Sequence, residues 1–366
     1  MAPARLTIDL DKIEHNARAV VSFCREHGID VTGVTKGVCG HPEIAKAMLR
    51  GGVSSLGESR LENIHRLRRA GIDAPCTLLR VPPLSEAANV VASADVSLNS
   101  ELSVLTALSD VAGRLGVVHD VIVMVELGDL REGVMPENLM AFCAAAHRLS
   151  AIRLAGLGAN LACFAGVVPS EANMNQLIAL AHEVESTCGL SLDLISGINS
   201  SALDLIAAGR MPREVNHARI GEAILLGRET VHRNPWPGTL QDAFILDAEV
   251  LERKTKPSTP IGERGEDAFG GLPVWEDRGD RVRALLNVGR EDVRIQGLTP
   301  VETGVTILGG SSGYLVVDVT DARRDIEVGA ELAFSPNYGA LLSAMSSAYL
   351  RKLVLRQGEP VEDTAE

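Results

Sequence analysis

Aromatic side chains are scarce: Phe, Trp and Tyr together make up 3% of 366 residues, and the only tyrosines are 314, 338 and 349. The core must therefore be aliphatic, which suits an α/β protein with layers of branched side chains. Basic excess is absent as well. The net charge is −13, so a broad surface for nucleic acid or anionic lipid is not expected. No run approaches the ~18 apolar residues of a membrane span. The opening MAPARLTIDLDKIEHN lacks the apolar stretch of a secretory signal. The six cysteines (24, 39, 76, 143, 163 and 188) form no CxxC pair. That pattern fits reduced thiols in a cytoplasmic chain, and no metal site is expected.

What is present is alternation. From Val31 to about Gly227, short apolar runs alternate with stretches of helical periodicity that end in Gly. The runs are 31–36, 76–81, 95–100, 121–127, 154–161, 191–196 and 214–221, with the weaker SSLGES (54–59) as an eighth. Strands alternating with helices imply right-handed βαβ units and a parallel sheet. About eight such units in ~200 residues fit a (β/α)8 barrel. A doubly wound open sheet would more often show a Gly-rich first turn, which VTKGVCG is not. The pattern changes near RNPWPGT (233–239), beyond which short β-rich runs are separated by turn residues. The expected organisation is a barrel over 10–235 and a mostly β domain over 236–355, joined by the strand 5–9. The acidic tail 356–366 is expected to be disordered.

Function in such a barrel sits at the C-terminal ends of the strands. Lys36 ends the first barrel strand. It reads either as a lysine snorkelling to solvent or as a desolvated amine suited to Schiff-base chemistry. VELGDLREGV places Glu126, Asp129, Arg131 and Glu132 at another strand end. This is either a solvated turn of mixed charge or a site where Arg131 clamps a carboxylate with its planar fork. SGINSSALDL offers Ser196, Asn199, Ser200 and Ser201 ahead of a helix, and NHARIGEAILLG offers Arg219, Ile220 and Gly221 ahead of another. Each alone is an ordinary helix start; together they make a phosphate cup. Lysine, arginine and phosphate cup jointly ask for a phosphorylated cofactor bearing an aldehyde.

Between about 6 and 352 the chain resembles the alanine racemase family of pyridoxal 5'-phosphate (PLP) barrel enzymes, closest to its ornithine racemase branch. The stretches that carry the resemblance are VTKGVCGHPEIAKAM, SLNSEL, VELGDLREGV, GANLACF, INSSALDL, NHARIGEAILLG, NVGREDV, TILGGSSGYLVVDVTD and NYGALLSAM, in that order. The resemblance implies an amino-acid racemase or epimerase working on the Cα proton of a free amino acid. It makes Lys36 the cofactor lysine and sets Arg131 near the substrate carboxylate and the cofactor's phenolic oxygen. Arg219 would face the pyridine nitrogen, and Ser200, Gly221 and Tyr338 would contact the phosphate. Asn160 falls where alanine racemases carry a histidine beside the ring. His41 follows Gly40 as in their Gly-His pair, and Cys39 stands near their phosphate-contacting tyrosine. A homodimer with shared sites is implied too.

Two departures accompany the resemblance. The family's second base is a partner-subunit tyrosine, and Arg290 stands at its position. Glu291, Asp292 and Tyr314 are then candidates for the second base, with Cys39 behind them. The branch is expected to read Gly-Ala-Ser-Ser-Asp-His where this chain reads Gly309-Gly310-Ser311-Ser312-Gly313-Tyr314. If that acid neutralises a side-chain amine, a neutral amino acid is open as substrate. The same fold and cofactor also support decarboxylation or aldol cleavage, and a non-catalytic PLP carrier is a further alternative.

Overall fold

The computed structural model describes residues 4–361. The chain divides into two compact units. One is Leu10–Gln241; the other joins the strand before Leu10 to the chain from Asp242 onward. Among the described residues no helix is long and apolar enough to cross a membrane.

Strand β1 (Arg5–Asp9) opens the chain. The first unit then holds β2 (Asp30–Val34), β3 (Ser55–Glu58), β4 (Cys76–Leu78), β5 (Val96–Asn99), β6 (His119–Met124), β7 (Ile152–Gly158), β8 (Leu194–Ser196) and β9 (His217–Ile220). All are parallel, in the spatial order β8-β7-β6-β5-β4-β3-β2-β9. The ring is closed between β8 and β9 by the parallel bridge Ile198–Ala218, with Arg219 N donating to Ile198 O at 2.9 Å. This is the expected (β/α)8 barrel. The strands are short, aliphatic and buried on both faces, as a parallel sheet covered by helices requires. Helices between them bury their apolar stripe and start on recognisable signals. Pro42 opens Pro42–Arg50 at its first turn, and Ser170 forms a reciprocal capping box with Asn173 at the head of Glu171–Cys188.

The second unit is a nine-stranded sheet of β1 with β10 (Phe244–Pro257), β11 (Asp280–Leu286), β12 (Leu298–Pro300), β13 (Thr306–Gly310), β14 (Leu315–Asp318), β15 (Glu331–Pro336), β16 (Arg351–Arg356) and β17 (Glu359–Pro360). β1 lies inside it, antiparallel to β10 and parallel to β16. One helix, Tyr338–Ser346, interrupts the strands, capped by Asn337.

The tail departs from its expected disorder. Arg356 ends β16 and Glu359–Pro360 folds back on it as β17. Gln357 and Gly358 take φ of 52° and 78°, the paired left-handed conformation of a type I′ hairpin turn. Local turn geometry outweighs acidic composition here. Of that tail, 362–366 lie outside the described residues.

Candidate active site

β2 ends at Val34, two residues short of the expected strand end, and Lys36 instead begins a short 3-10 turn, Lys36–Val38, with Thr35 before it. Gly40 holds a left-handed φ of 60°, and a Cβ there would sit 2.7 Å from Asn63 Cβ, so the turn needs glycine. Beneath the lysine, Thr35 Oγ1 donates to Glu58 Oε1 at 2.7 Å. The other Glu58 oxygen accepts from Asn63 Nδ2 at 3.0 Å and Ser59 N at 3.1 Å. Glu58 is fully buried, and burial pushes its carboxyl up despite those bonds. The Lys36 amine is lowered from its ordinary value. Desolvation is the main cause and the cations Arg131 and Arg219 add to it, while Cys163 and Glu132 pull the other way.

Arg219 comes from β9 and is buried. Its Nη1 donates to Ser196 O at 2.6 Å and also to Ser196 Oγ, and its Nη2 donates to Ala159 O at 2.8 Å. Burial lowers the guanidinium to about 10, so it keeps its charge at neutral pH. The Ser196 hydroxyl also bonds His217 Nδ1 at 2.7 Å, and His217 Nε2 bonds Thr32 Oγ1 at 2.8 Å. Thr32 in turn meets Ser55 Oγ at 2.6 Å. A hydrogen-bonded row thus crosses β8, β9, β2 and β3. Burial, with Arg219 nearby, drives His217 down to about 3, so its ring is neutral.

The loop after β6 is built by its own acids. Glu126 accepts from Gly128 N at 2.6 Å and Arg131 N at 3.2 Å. Asp129 is fully buried. It accepts from four amides of the loop after β7: Phe164 at 2.9 Å, Ala165 at 3.1 Å, Cys163 at 3.3 Å and Val167 at 3.4 Å. These two residues are thus not the solvated turn of the plainer sequence reading. Gly133, at φ 147°, closes the turn where a Cβ would lie 2.5 Å from Glu126 N. Arg131 presents Nε and Nη2 to Glu132, with Nη2 2.5 Å from Oε1. Asn160 turns its amide oxygen to Arg131 Nη1 at 3.1 Å. The bidentate edge that the sequence assigns to a substrate carboxylate is therefore held by a neighbouring carboxylate of the chain itself.

Near Arg219, Asn199 Oδ1 accepts from Ser201 N at 2.7 Å and from Ser201 Oγ at 2.5 Å. Ser200 Oγ accepts from Ala223 N at 3.1 Å, at the head of the short helix Glu222–Leu226. Ile220 is buried behind Gly221. A Cβ on Gly221 would come within 3.2 Å of Val34 Cβ and Val34 O. His41 precedes Pro42, and Cys39 O accepts from Arg66 Nη1 at 2.6 Å. The barrel thus gathers Lys36, Arg131, Asn160, Ser196, Asn199, Ser200, Ser201, Arg219 and Gly221 at strand ends on one side.

The remaining candidates belong to the β unit. Two adjoining loops carry them: Arg290 N donates to Ser311 O at 3.0 Å and Glu291 N to Ser312 O at 3.1 Å. Arg290 lies over the Phe269 ring, 4.1 Å from its centroid. Asp292 is buried and accepts from Gly289 N at 2.8 Å. Tyr314 is half exposed, and Tyr338 starts the helix Tyr338–Ser346. Among the described residues no His, Cys, Asp and Glu cluster could hold a metal ion.

Cys163 was not selected from the sequence, although GANLACF contains it. Its thiol is exposed, 3.4 Å from the Asn160 amide and 3.7 Å from Asn199 Nδ2. Glu58 and His217 were missed too, because only the register of neighbouring strands brings them to the site.

An amine, two buried or half-buried guanidinium groups and a hydroxyl-lined helix start thus meet on one mouth of a (β/α)8 barrel. Residues 8–229 match the model of the alanine racemase N-terminal domain. The ornithine racemase of Acetoanaerobium sticklandii is 40% identical over 96% of this chain and 99% of its own. The lysine racemase of Thermotoga maritima is 37% identical over the same shares, 96% and 99%. The crystal structure of alanine racemase from Bacillus anthracis superposes with a TM-score of 0.74 at 18% identity, covering 99% of this chain and 97% of that one. D-threonine aldolase from Filomicrobium marinum reaches the same TM-score, 0.74, at 17% identity over 100% and 95% of the chains, a likeness of fold alone. This chain belongs to the alanine racemase family, and its reaction class is amino-acid racemisation, an isomerisation.

Proposed function

We propose that the racemase takes PLP at Lys36 and inverts the Cα of a free amino acid with a cationic side chain. The observation that carries the reading is the position of Lys36 in the turn just past β2, where desolvation lowers its amine and the charges of Arg131 and Arg219 lower it further. The names of the two end-to-end relatives, ornithine and lysine racemase, favour a basic substrate.

The donor set fits PLP. Lys36 would offer an amine to the aldehyde, Arg219 would face the pyridine nitrogen, and Ser200 and Gly221 would hold the phosphate, with Tyr338 the further phosphate residue that the family resemblance implies. His41, Cys39, Asn199, Ser201 and Ile220 would border them. Bound there, PLP supplies a sink for the negative charge left at Cα when its proton departs. The chain does the rest. Lys36, whose amine desolvation lowers, would exchange a proton with Cα on one face. Arg131 orients the α-carboxylate, and Asn160 holds that guanidinium in place. Arg219 stays charged and gives up no proton, which keeps the sink modest and favours plain proton return over longer-lived chemistry. The opposite face needs a second acid–base group, which the family takes from a partner subunit, and Glu291, Asp292, Tyr314 and Arg290 are the candidates for it. A cytoplasmic homodimer completes the reading, a two-fold pair being the commonest oligomer.

The test is borohydride reduction followed by peptide mapping, wild type beside Lys36→Ala, then deuterium exchange at Cα. A pyridoxyl group on Lys36 with exchange of both enantiomers is expected. An adduct on another lysine, or none after incubation with PLP, would overturn the assignment.

A further inference from the structure

Three acids stand on the loop after β6, and two are spent on the backbone. Glu126 binds two amides of its own turn, and Asp129 binds four of the neighbouring loop. Glu132 bonds no such amide. Its carboxylate holds both Nε and Nη2 of Arg131, and its side chain is only 19% exposed. Its charge also acts on Lys36 and Arg219. A half-buried carboxylate is thus paired with the arginine assigned to the substrate, with Lys36 and Arg219 within reach of its charge.

We propose that Glu132 is the specificity-determining residue of the racemase, exchanging Arg131 for the distal ammonium of a diamino acid. This rests on the racemase reading above. In the free chain Glu132 and Arg131 satisfy each other. An incoming α-carboxylate competes for the same guanidinium edge, which fits carboxylates bidentately. Displaced, Glu132 becomes a partly desolvated charge with no partner, which is costly. A substrate with an ammonium three or four carbons beyond Cα restores the pair, so two ion pairs replace one. A neutral substrate leaves the carboxylate stranded. A site built to bind a polar group rejects analogues that lack it because its own polar groups go unpaired. For a group this exposed, the expected discrimination is roughly 10²-fold rather than the larger factors of fully buried sites.

The experiment compares lysine with norleucine in wild type, Glu132→Gln and Glu132→Asp. Wild type is expected to favour lysine in kcat/KM by about 10²-fold, mostly through KM. Glu132→Gln should bring the two substrates within about threefold, and Glu132→Asp should restore much of the preference. Calorimetry gives a readout free of turnover: 5-aminopentanoate against pentanoate, titrated into borohydride-reduced enzyme, which has no aldehyde left to react with an amine. Wild type should prefer the aminated ligand and Glu132→Gln should not. Equal losses on both substrates with the preference intact would show that Glu132 only holds Arg131, and the proposal falls. A wild type that favours norleucine also overturns it while leaving the racemase reading standing. If no amino acid exchanges its Cα proton, the racemase reading fails, and the same calorimetry on the untreated chain still decides the role of Glu132.

Discussion

Replacing Asp129 with Asn keeps the size and shape of the side chain and changes what its atoms can accept. The carboxylate binds Cys163 N and Phe164 N on one oxygen and Ala165 N and Val167 N on the other. Whichever way the new amide turns, one oxygen becomes an NH2 facing two N–H donors. One well-formed charge-assisted bond is lost, at 2.9 Å or 3.1 Å, costing about 1.5–3 kcal/mol, and an N–H left facing a donor adds about 1–3 kcal/mol. The sum, about 2.5–6 kcal/mol, is the penalty for keeping the loop closed. If opening the loop to water costs less, the loop opens and global stability falls by that smaller amount. Amide hydrogen exchange at 163–167 is therefore the sensitive assay. A penalty near 3 kcal/mol accelerates exchange there by roughly 10²-fold, with urea unfolding of the whole unit moved by no more than that amount. Borohydride trapping at Lys36 should persist, because β2 and its turn do not depend on Asp129. Exchange at 163–167 within threefold of wild type would refute the reasoning and show that the loop is held by something other than this carboxylate.

Other perturbations follow from the charges around the barrel mouth. Competitive acetylation of Lys36 should rise at lower pH than for an ordinary lysine. Arg131→Gln should move that profile upward by removing a cation, and Glu132→Gln should move it downward. His217 is neutral in the fold with its proton affinity reduced to about 3, so the unfolded chain binds one more proton below its ordinary value of about 6.5. Its contribution to stability is constant above that pH and is lost as pH falls toward 3. Urea midpoints at pH 7.5 and 5 should separate less in His217→Gln than in wild type. Cys163 is the exposed cysteine among the described residues, so iodoacetamide should label it first, and bound PLP should slow that labelling.

The barrel was legible because its signal is periodic. Aliphatic runs such as VIVMV, separated by Gly-terminated helices, leave few other folds, and even SSLGES is a strand, Ser55–Glu58. Lys36, Arg131 and Arg219 stood out in the sequence because strand ends are where such barrels place chemistry, and the structure sets them near the ends of β2, β6 and β9. What each charge touches was not. Glu126, Asp129 and Glu132 look alike within ten residues, yet Asp129 binds a loop more than thirty residues on, and Glu132 binds its neighbour. Thr32, Ser55, Ser196 and His217 meet because β3, β2, β9 and β8 stand side by side, a register no local pattern states. The hairpin at Gln357–Gly358 was hidden by the acidic composition around it.

β1 has a consequence for how the molecule is made. Its partners are β10, beginning at Phe244, and β16, beginning at Arg351. On a ribosome adding about 5–20 residues per second, the final partner emerges roughly 20–70 s after β1 itself. Throughout that interval the strand RLTID presents open edges, a known route to unwanted pairing. The barrel segment between can complete its own sheet meanwhile. Vectorial synthesis thus sets an assembly order in which a strand made before the barrel is enclosed only after the barrel is complete, and a chaperone that binds open strand edges would find this one exposed longest.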